Sequence, residues 1–160
     1  MAEDFDWCND AASADLVAAV ELAVEGKARD YAWAFHEVVT DDEYNLQMIR
    51  FEGDENGNPL VGPPDDGGFP TLLQGIRRPV LLVHTATNDC LSWLNAVESE
   101  VDSLPFILFS QGYDVFLGCL RGTRFSRTAV GLDLNTSEGQ ELYFDYNTHT
   151  VGEMDIPAFT

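Results

Sequence analysis

A serine followed by glutamine and glycine stands in the segment Leu108–Gly112 and raises the question of nucleophilic chemistry. An activated serine needs a histidine within hydrogen-bond reach and an acid that orients the histidine. The chain has only three histidines: His36, His84 and His149. None of them stands in a pattern that assembles a triad, and the G-x-S-x-G nucleophile turn needs a glycine where Leu108 stands. We predict that Ser110 ends a helix and that this chain carries no catalytic triad.

Three arginines, Arg121, Arg124 and Arg127, form a basic group in an otherwise acidic chain. They are suited either to gripping a phosphate or lipid headgroup or to pairing with internal carboxylates. We favour internal pairing, in which Arg121 and Arg127 bind carboxylates such as Asp114 or Asp145.

No metal or cofactor site is predicted. The acidic triplet Asp41–Glu43 lacks the ligand spacing of a calcium loop, and the three cysteines lack metal-binding spacing. The odd number of cysteines argues against a disulfide framework but leaves one bridge open. Cys119 is predicted to be buried in a strand, while His36 and His149 are predicted to be a structural and a surface imidazole.

The charge of the chain excludes some partners. The 28 acidic and 8 basic residues give a net charge of −20, which excludes nucleic acid and anionic membrane surfaces as direct partners. The acidity indicates a solvated surface or, alternatively, a basic partner subunit.

No apolar run approaches the roughly 20 residues that span a bilayer. No secretory signal is visible, so Met1 starts a non-secreted protein or the numbering begins after processing.

The first half of the chain contains a helix pattern and a hairpin pattern. Residues 10–25 predict a helix, because their apolar residues recur on one face. The segments His36–Thr40 and Tyr44–Phe51 predict two antiparallel strands joined by the acidic turn Asp41–Glu43. The segment Gly53–Pro70, rich in glycine, proline and aspartate, predicts a loop.

The second half predicts a βαβ unit. The apolar runs Pro79–His84 and Tyr113–Leu120 are typical of strands buried on both faces, and Cys90–Gln111 between them has room for one helix or two. A further helix start is indicated at Pro157, and a complete α/β domain should continue beyond it. The sequence therefore predicts an α/β architecture in which a hairpin leads into a parallel sheet.

Taken together, these segments resemble the N-terminal part of the acid lipases, the gastric and lysosomal lipases of the α/β-hydrolase fold. FHEVVTDDEYNLQMIRF resembles their opening hairpin, and RRPVLLVH resembles the strand that ends in their His-Gly-Leu turn. SLPFILFSQGYDVFLGCLRGTRFSR matches their helix-then-strand element, within which the GYDVFLG-x-x-RGT run is specific. FDYNTHTVGEMDIPAF resembles the segment ahead of the helix that precedes their nucleophile strand. The likeness covers residues 30–159.

The resemblance implies two regions: an acidic segment and helix over residues 1–29, and a partial lipase-like domain over residues 30–160. That domain would be the N-terminal half of an α/β-hydrolase fold, incomplete without a further chain. His84 matches the histidine of the His-Gly-Leu turn, in which the backbone N–H of the third position stabilises an oxyanion. Thr85 replaces the glycine, and Ala86 occupies the donor position. The resemblance also implies a secreted or lysosome-like location.

Two functions remain open at this point. In the first, the chain is the front part of a lipid ester hydrolase, and a second polypeptide supplies the nucleophile, acid and base. In the second, it is a non-catalytic, lipase-derived subunit of a larger assembly. Both predict a partner chain that completes the sheet, because an open strand edge invites aggregation. That edge is expected beside the YDVFLG strand.

Overall fold

A computed structural model describes Ala18 and residues 32–53, 77–85, 87–95 and 103–160. Apart from Ala18, the predicted helix over residues 10–25 and the whole region 1–29 lie outside these ranges, as does most of the predicted loop Gly53–Pro70. The boundary between the two predicted regions therefore stays a prediction.

The described residues form a mixed sheet flanked by helices. The strands are β1 (Trp33–Val39), β2 (Tyr44–Phe51), β3 (Pro79–Val83), β4 (Asp114–Cys119) and the short β5 (Thr128–Ala129). The helices are α1 (Ser92–Asn95), α2 (Leu104–Ser110), α3 (Ser137–Tyr143) and α4 (Thr148–Thr150), which continues through a π-helical stretch (Val151–Asp155) into α5 (Ile156–Ala158). The α/β prediction is confirmed.

The predicted hairpin and βαβ unit both form. β1 pairs antiparallel with β2 from Trp33 opposite Phe51 to Val39 opposite Asn45. β3 pairs parallel with β4, from Pro79 opposite Asp114 to Val83 opposite Gly118. The strand order is β1-β2-β4-β3, and β5 extends the edge of β2 on which β4 lies. A hairpin therefore leads into a parallel pair, as predicted.

The position of the sheet edge corrects one expectation. β4, the YDVFLG strand, lies between β2 and β3, so its edges are both paired. Within the described ranges β3 pairs with β4 alone. In this order β4, which comes later in the sequence, lies between two strands, whereas β3, which comes earlier, lies last. On the side of the parallel pair, the edge strand of the sheet is therefore β3. The expectation that β4 has an open edge was wrong.

Two apolar layers cover the two faces of the sheet, because successive strand side chains point to opposite faces. On one face, residues from β2, β3 and β4 pack with α1 and α2; this layer includes Phe51, Phe106 and Leu117. The other face carries Tyr44, Leu46, Met48, Tyr143 and Phe159. The sheet is therefore the middle of three layers.

The C-terminal helical segment begins earlier than the sequence indicated. The Asn147 side chain accepts hydrogen bonds from the backbone N–H groups of His149 (2.9 Å) and Thr150 (3.2 Å), which caps α4. Pro157 lies in the first turn of α5, as the sequence indicated, but α5 continues a helical segment that already begins at α4. The cap residue Asn147 was the missed signal.

Within the ranges described, no helix has the length and apolar character needed to cross a membrane.

Phe159 packs on Gly118, and this contact fixes the end of the helical segment on β4. A Cβ atom on Gly118 would lie 2.9 Å from the Phe159 ring, closer than real Cβ contacts. Glycine at this position therefore makes room for the aromatic ring.

We expect Gly118→Ala to destabilise the fold by about 1–3 kcal/mol, because the buried ring must shift to admit a methyl group. Gly152→Ala is the matched control: a Cβ there meets nothing within 4 Å, so a gain of up to about 1 kcal/mol is expected. Urea unfolding measures both variants. Equal effects would show that Phe159 does not pack on β4.

Candidate functional site

The candidate site lies where β3 and β4 end. Because the two strands are parallel, the loop that begins at His84 and the loop that begins at Leu120 leave the same edge of the sheet. Ligands of open α/β sheets bind at this carboxyl edge. His84 and Thr85, two of the three residues that the resemblance singled out for the oxyanion turn, lie here.

His84 connects the two loops. Its side chain is buried, its Nε2 accepts a hydrogen bond from the Leu120 backbone N–H (3.1 Å), and its Nδ1 lies 2.8 Å from the Thr85 carbonyl oxygen. Because Nε2 accepts, the proton is assigned to Nδ1, which donates to Thr85. Both ring nitrogens are thus engaged with backbone. His84 holds the loops together and has no nitrogen free to act as a base.

The residues after His84 make a tight turn. The Asn88 backbone N–H donates to the Thr85 carbonyl (3.0 Å), and the Asn88 side chain donates to the Thr85 hydroxyl (3.3 Å). Thr85 is exposed to solvent. Ala86, the expected oxyanion donor, lies outside the described residues, so its role stays a prediction.

A disulfide and an ion pair bind this turn to the end of β4. Cys90 joins Cys119, the last residue of β4, with 4.9 Å between their Cα atoms. Asp89 accepts a hydrogen bond from the Arg124 guanidinium at 2.9 Å and from the Leu91 backbone N–H at 3.0 Å. The one bridge that the sequence left open is therefore formed. Cys119 is fully buried in its strand, as predicted.

Arg121 lies at the centre of a buried ion cluster just after β4. Its guanidinium makes two hydrogen bonds to Asp42, of 2.7 and 2.8 Å, and its Nε donates to Asp155 at 2.6 Å. The Arg121 backbone N–H also donates to Asp155 (3.0 Å), and the guanidinium carbon lies 3.8 Å from the centroid of the Tyr44 ring. One side chain thus joins the β1–β2 turn, β4 and the C-terminal helical segment.

Burial and pairing act against each other in this cluster. Burial opposes the charge on Arg121, but the hydrogen bonds that it donates to Asp42 and Asp155 outweigh this effect and raise the pKa of Arg121 above its usual value. The hydrogen bond from Arg121 lowers the pKa of Asp42. For Asp155, which is fully buried, burial is the larger effect and raises its pKa although Arg121 acts against this.

The prediction of internal pairing is confirmed for Arg121, although the partners named for it were wrong, and for Arg127 it stays a prediction. Arg121 pairs with Asp42 and Asp155, and Arg124 pairs with Asp89. Asp114 instead pairs with Arg50 at 2.9 Å, since β2 and β4 are neighbours. Sequence patterns did not reveal these partners because they lie 34 or more positions away from their arginines.

A tyrosine–glycine contact holds the loop after β4. The buried Tyr143 hydroxyl accepts from the Gly122 backbone N–H at 3.0 Å and donates to the Ser126 carbonyl oxygen. Burial raises the pKa of Tyr143 above its usual value. Gly122 has φ of 77°, and a side chain there would collide with the Tyr146 hydroxyl. The loop is therefore fixed by its neighbours on α3 and beyond it.

The other singled-out residues lie away from this edge. Ser110 is the last residue of α2, and its hydroxyl donates to the Ile107 carbonyl (2.9 Å), as expected of a helix-terminal serine. It precedes β4 and so lies toward the opposite edge of the sheet from His84. His149 is 79% exposed and lies 3.1 Å from Glu153. In the segments that the structure describes, no three His, Cys, Asp or Glu side chains are grouped to hold a metal ion.

Comparison with known proteins shows that most of this chain is similar to part of several lipases. No family model matches the chain. The chain is 36% identical over 123 residues to Triacylglycerol lipase 2 of Arabidopsis thaliana, covering 77% of this chain and 25% of that protein. Gastric triacylglycerol lipase of Rattus norvegicus is 30% identical over 124 residues, covering 77% and 26%. The chain is an acid-lipase-like region.

The acid-lipase-like assignment agrees with the observed fold. Lipase member M of Mus musculus, 27% identical over 146 residues, extends the match to 91% of this chain and 30% of that protein. The chain spans about a quarter of the length of the curated relatives it matches. The mixed sheet is consistent with the α/β-hydrolase class of these lipases.

We expect Asp155→Ala to cost about 3 kcal/mol or more, because it leaves the buried Arg121 with one carboxylate fewer. Arg124→Gln is the matched control, since this 54% exposed arginine forms a surface pair worth less than about 1 kcal/mol. Denaturant unfolding near pH 7 compares the two. A loss for Asp155→Ala no larger than that for Arg124→Gln would contradict a central role for the Arg121 cluster.

We expect the double substitution Cys90→Ala with Cys119→Ala to lower the free energy of unfolding by about 3 kcal/mol through loss of the cross-link. Faster amide hydrogen exchange is expected in residues 84–91, the loop that the bridge holds. Ser110→Ala, at an exposed helix end, serves as the control and should leave exchange in residues 84–91 unchanged. Unchanged exchange in this loop would mean that His84 and Asp89 are sufficient to hold it.

Proposed function

We propose that this chain is the front half of a lipid ester hydrolase and contributes the oxyanion turn at His84–Ala86. A second polypeptide supplies the serine nucleophile, the acid and the catalytic histidine. The observation that carries the proposal is the fixed loop after β3. His84, Cys90 and Asp89 each hold this loop to the end of β4 or the loop after it. Such preorganisation is what an oxyanion-binding backbone requires.

The free edge of β3 is the place at which the second polypeptide joins. β4 has neighbours on both sides, so among the described strands β3 offers the edge next to the parallel pair. A further parallel strand beside β3 would end next to His84. A nucleophile turn at the end of that strand would then face the proposed oxyanion turn.

The reaction is acyl transfer through a covalent intermediate. The partner's serine oxygen bonds to the ester carbonyl carbon while its histidine takes the serine proton, and the carbonyl oxygen becomes an oxyanion. The Ala86 backbone N–H is a donor to this oxyanion. The alcohol leaves with the proton from the histidine, and water then releases the fatty acid. The similarity to two triacylglycerol lipases favours an uncharged triacylglycerol as substrate.

One observation favours the second candidate, a non-catalytic lipase-derived subunit. Thr85 occupies the position that is glycine in the His-Gly-Leu pattern, and a β-branched residue restricts the backbone of the turn. A chain that had lost the reaction would still need a partner at the β3 edge, so the partner alone does not separate the two functions.

Labelling of natively purified material with a fluorophosphonate probe tests the proposal, with each polypeptide read by mass spectrometry. A labelled serine on a co-purifying polypeptide supports it, and no label on any polypeptide supports the non-catalytic subunit. In the reconstituted complex, His84→Ala should slow labelling by up to ~100-fold, as expected for a disturbed oxyanion turn. Ser110→Ala is the matched control and should label at the normal rate. A label on Ser110 would overturn the proposal.

A further inference from the structure

We propose that Asn135 is an acceptor for an asparagine-linked glycan. Asn135, Thr136 and Ser137 form the sequence Asn-Thr-Ser, which meets the Asn-x-Ser/Thr requirement with a residue other than proline in the middle. This site is independent of the proposed ester hydrolysis.

The structure presents this tripeptide in an accessible turn. All three residues are exposed, and they connect Leu134 to the start of α3. The backbone N–H of Asn135 donates a hydrogen bond to Asp133 Oδ1 at 3.0 Å. Asn135 therefore stabilises the turn through its backbone N–H and not through its side-chain amide. A sugar on its side-chain nitrogen would extend into solvent without displacing a buried group.

The residue that caps α3 is Thr136, the neighbour of Asn135. The Thr136 hydroxyl accepts from the Gly139 N–H at 3.0 Å and donates to the Asp133 carbonyl oxygen at 2.8 Å. Gly139 lies so close to Asp133 that a Cβ would collide with its carbonyl oxygen. The turn is thus held by Asp133, Thr136 and Gly139, and the Asn135 amide remains available for modification.

The disulfide is a second, separate observation that points to the same modification. Cys90 and Cys119 are joined and fully buried. Such bridges persist in oxidising compartments, which in eukaryotic cells begin with the endoplasmic reticulum. Asparagine-linked glycans are added in that compartment. The bridge therefore places the exposed tripeptide where the modifying enzyme acts.

The modification is a group transfer from a polyprenyl diphosphate-linked oligosaccharide. The bond between the first sugar carbon and the diphosphate oxygen breaks, and that carbon bonds to the Asn135 amide nitrogen. The amide loses one proton, and the polyprenyl diphosphate leaves. No oxidant or reductant is required.

The position of Asn135 leaves the proposed catalytic edge free. The turn follows β5, which pairs with the first residues of β2. β2 lies on the side of β4 away from β3. A glycan on Asn135 and a polypeptide at the β3 edge are therefore compatible.

Peptide mass spectrometry of the natively purified protein, before and after peptide-N-glycosidase treatment, tests this inference. We expect the peptide with Asn135 to carry hexose-containing mass before treatment and aspartate at position 135 after it. Finding this peptide wholly unmodified would overturn the proposal.

Variants of the full chain, secreted from a eukaryotic host behind a cleavable leader, give a second readout. Asn135→Gln and Ser137→Ala should each abolish the glycosidase-sensitive shift in gel mobility. Thr136→Ala is the matched control: it removes the helix cap but keeps the acceptor pattern, so the shift should remain. A shift that persists in both Asn135→Gln and Ser137→Ala would overturn the assignment to this site.

Discussion

The buried charge of Arg121 is the constraint on which much of the structure depends. A guanidinium with no solvent exposure of its side chain must meet carboxylates, and Asp42 and Asp155 come from distant parts of the chain. Their convergence requires the β1–β2 turn, the end of β4 and the C-terminal helical segment to meet. The apolar layers stabilise many arrangements of a sheet and helices, whereas this cluster is satisfied by few. We infer that it contributes more to specifying the arrangement than to net stability.

Much of the fold was readable from local patterns. The alternation of β2, the apolar runs of β3 and β4, and Pro105 in the first turn of α2 all predict elements that the structure contains. The edge strand was not predicted correctly, because neither run differs in composition from a central strand. Pro157 indicates only the last helix of the C-terminal helical segment, whereas the start of the segment is marked by its cap residue, Asn147.

The candidate site was located by sequence, but its supports were not. His84 was found through its resemblance to a known turn, yet its hydrogen bond to Leu120 depends on the parallel register of β3 and β4. Cys90 and Cys119 did carry a usable signal. Each comes at or after the end of a predicted parallel strand, and such strands place their ends at one edge. The carboxylate partners of the arginines had no comparable signal, because tertiary packing alone brings them together.

The bridge between Cys90 and Cys119 also acts as a check on strand register during oxidative folding. Cys119 belongs to β4, and a slip of one residue would move its side chain to the opposite face of the sheet. The two sulfur atoms then could not meet, since a disulfide cannot form between cysteines whose Cβ atoms point away from each other. Oxidation therefore traps chains whose β4 is aligned correctly with the loop after β3. Thiol reactivity in newly made protein would thus report the fraction that is still misaligned.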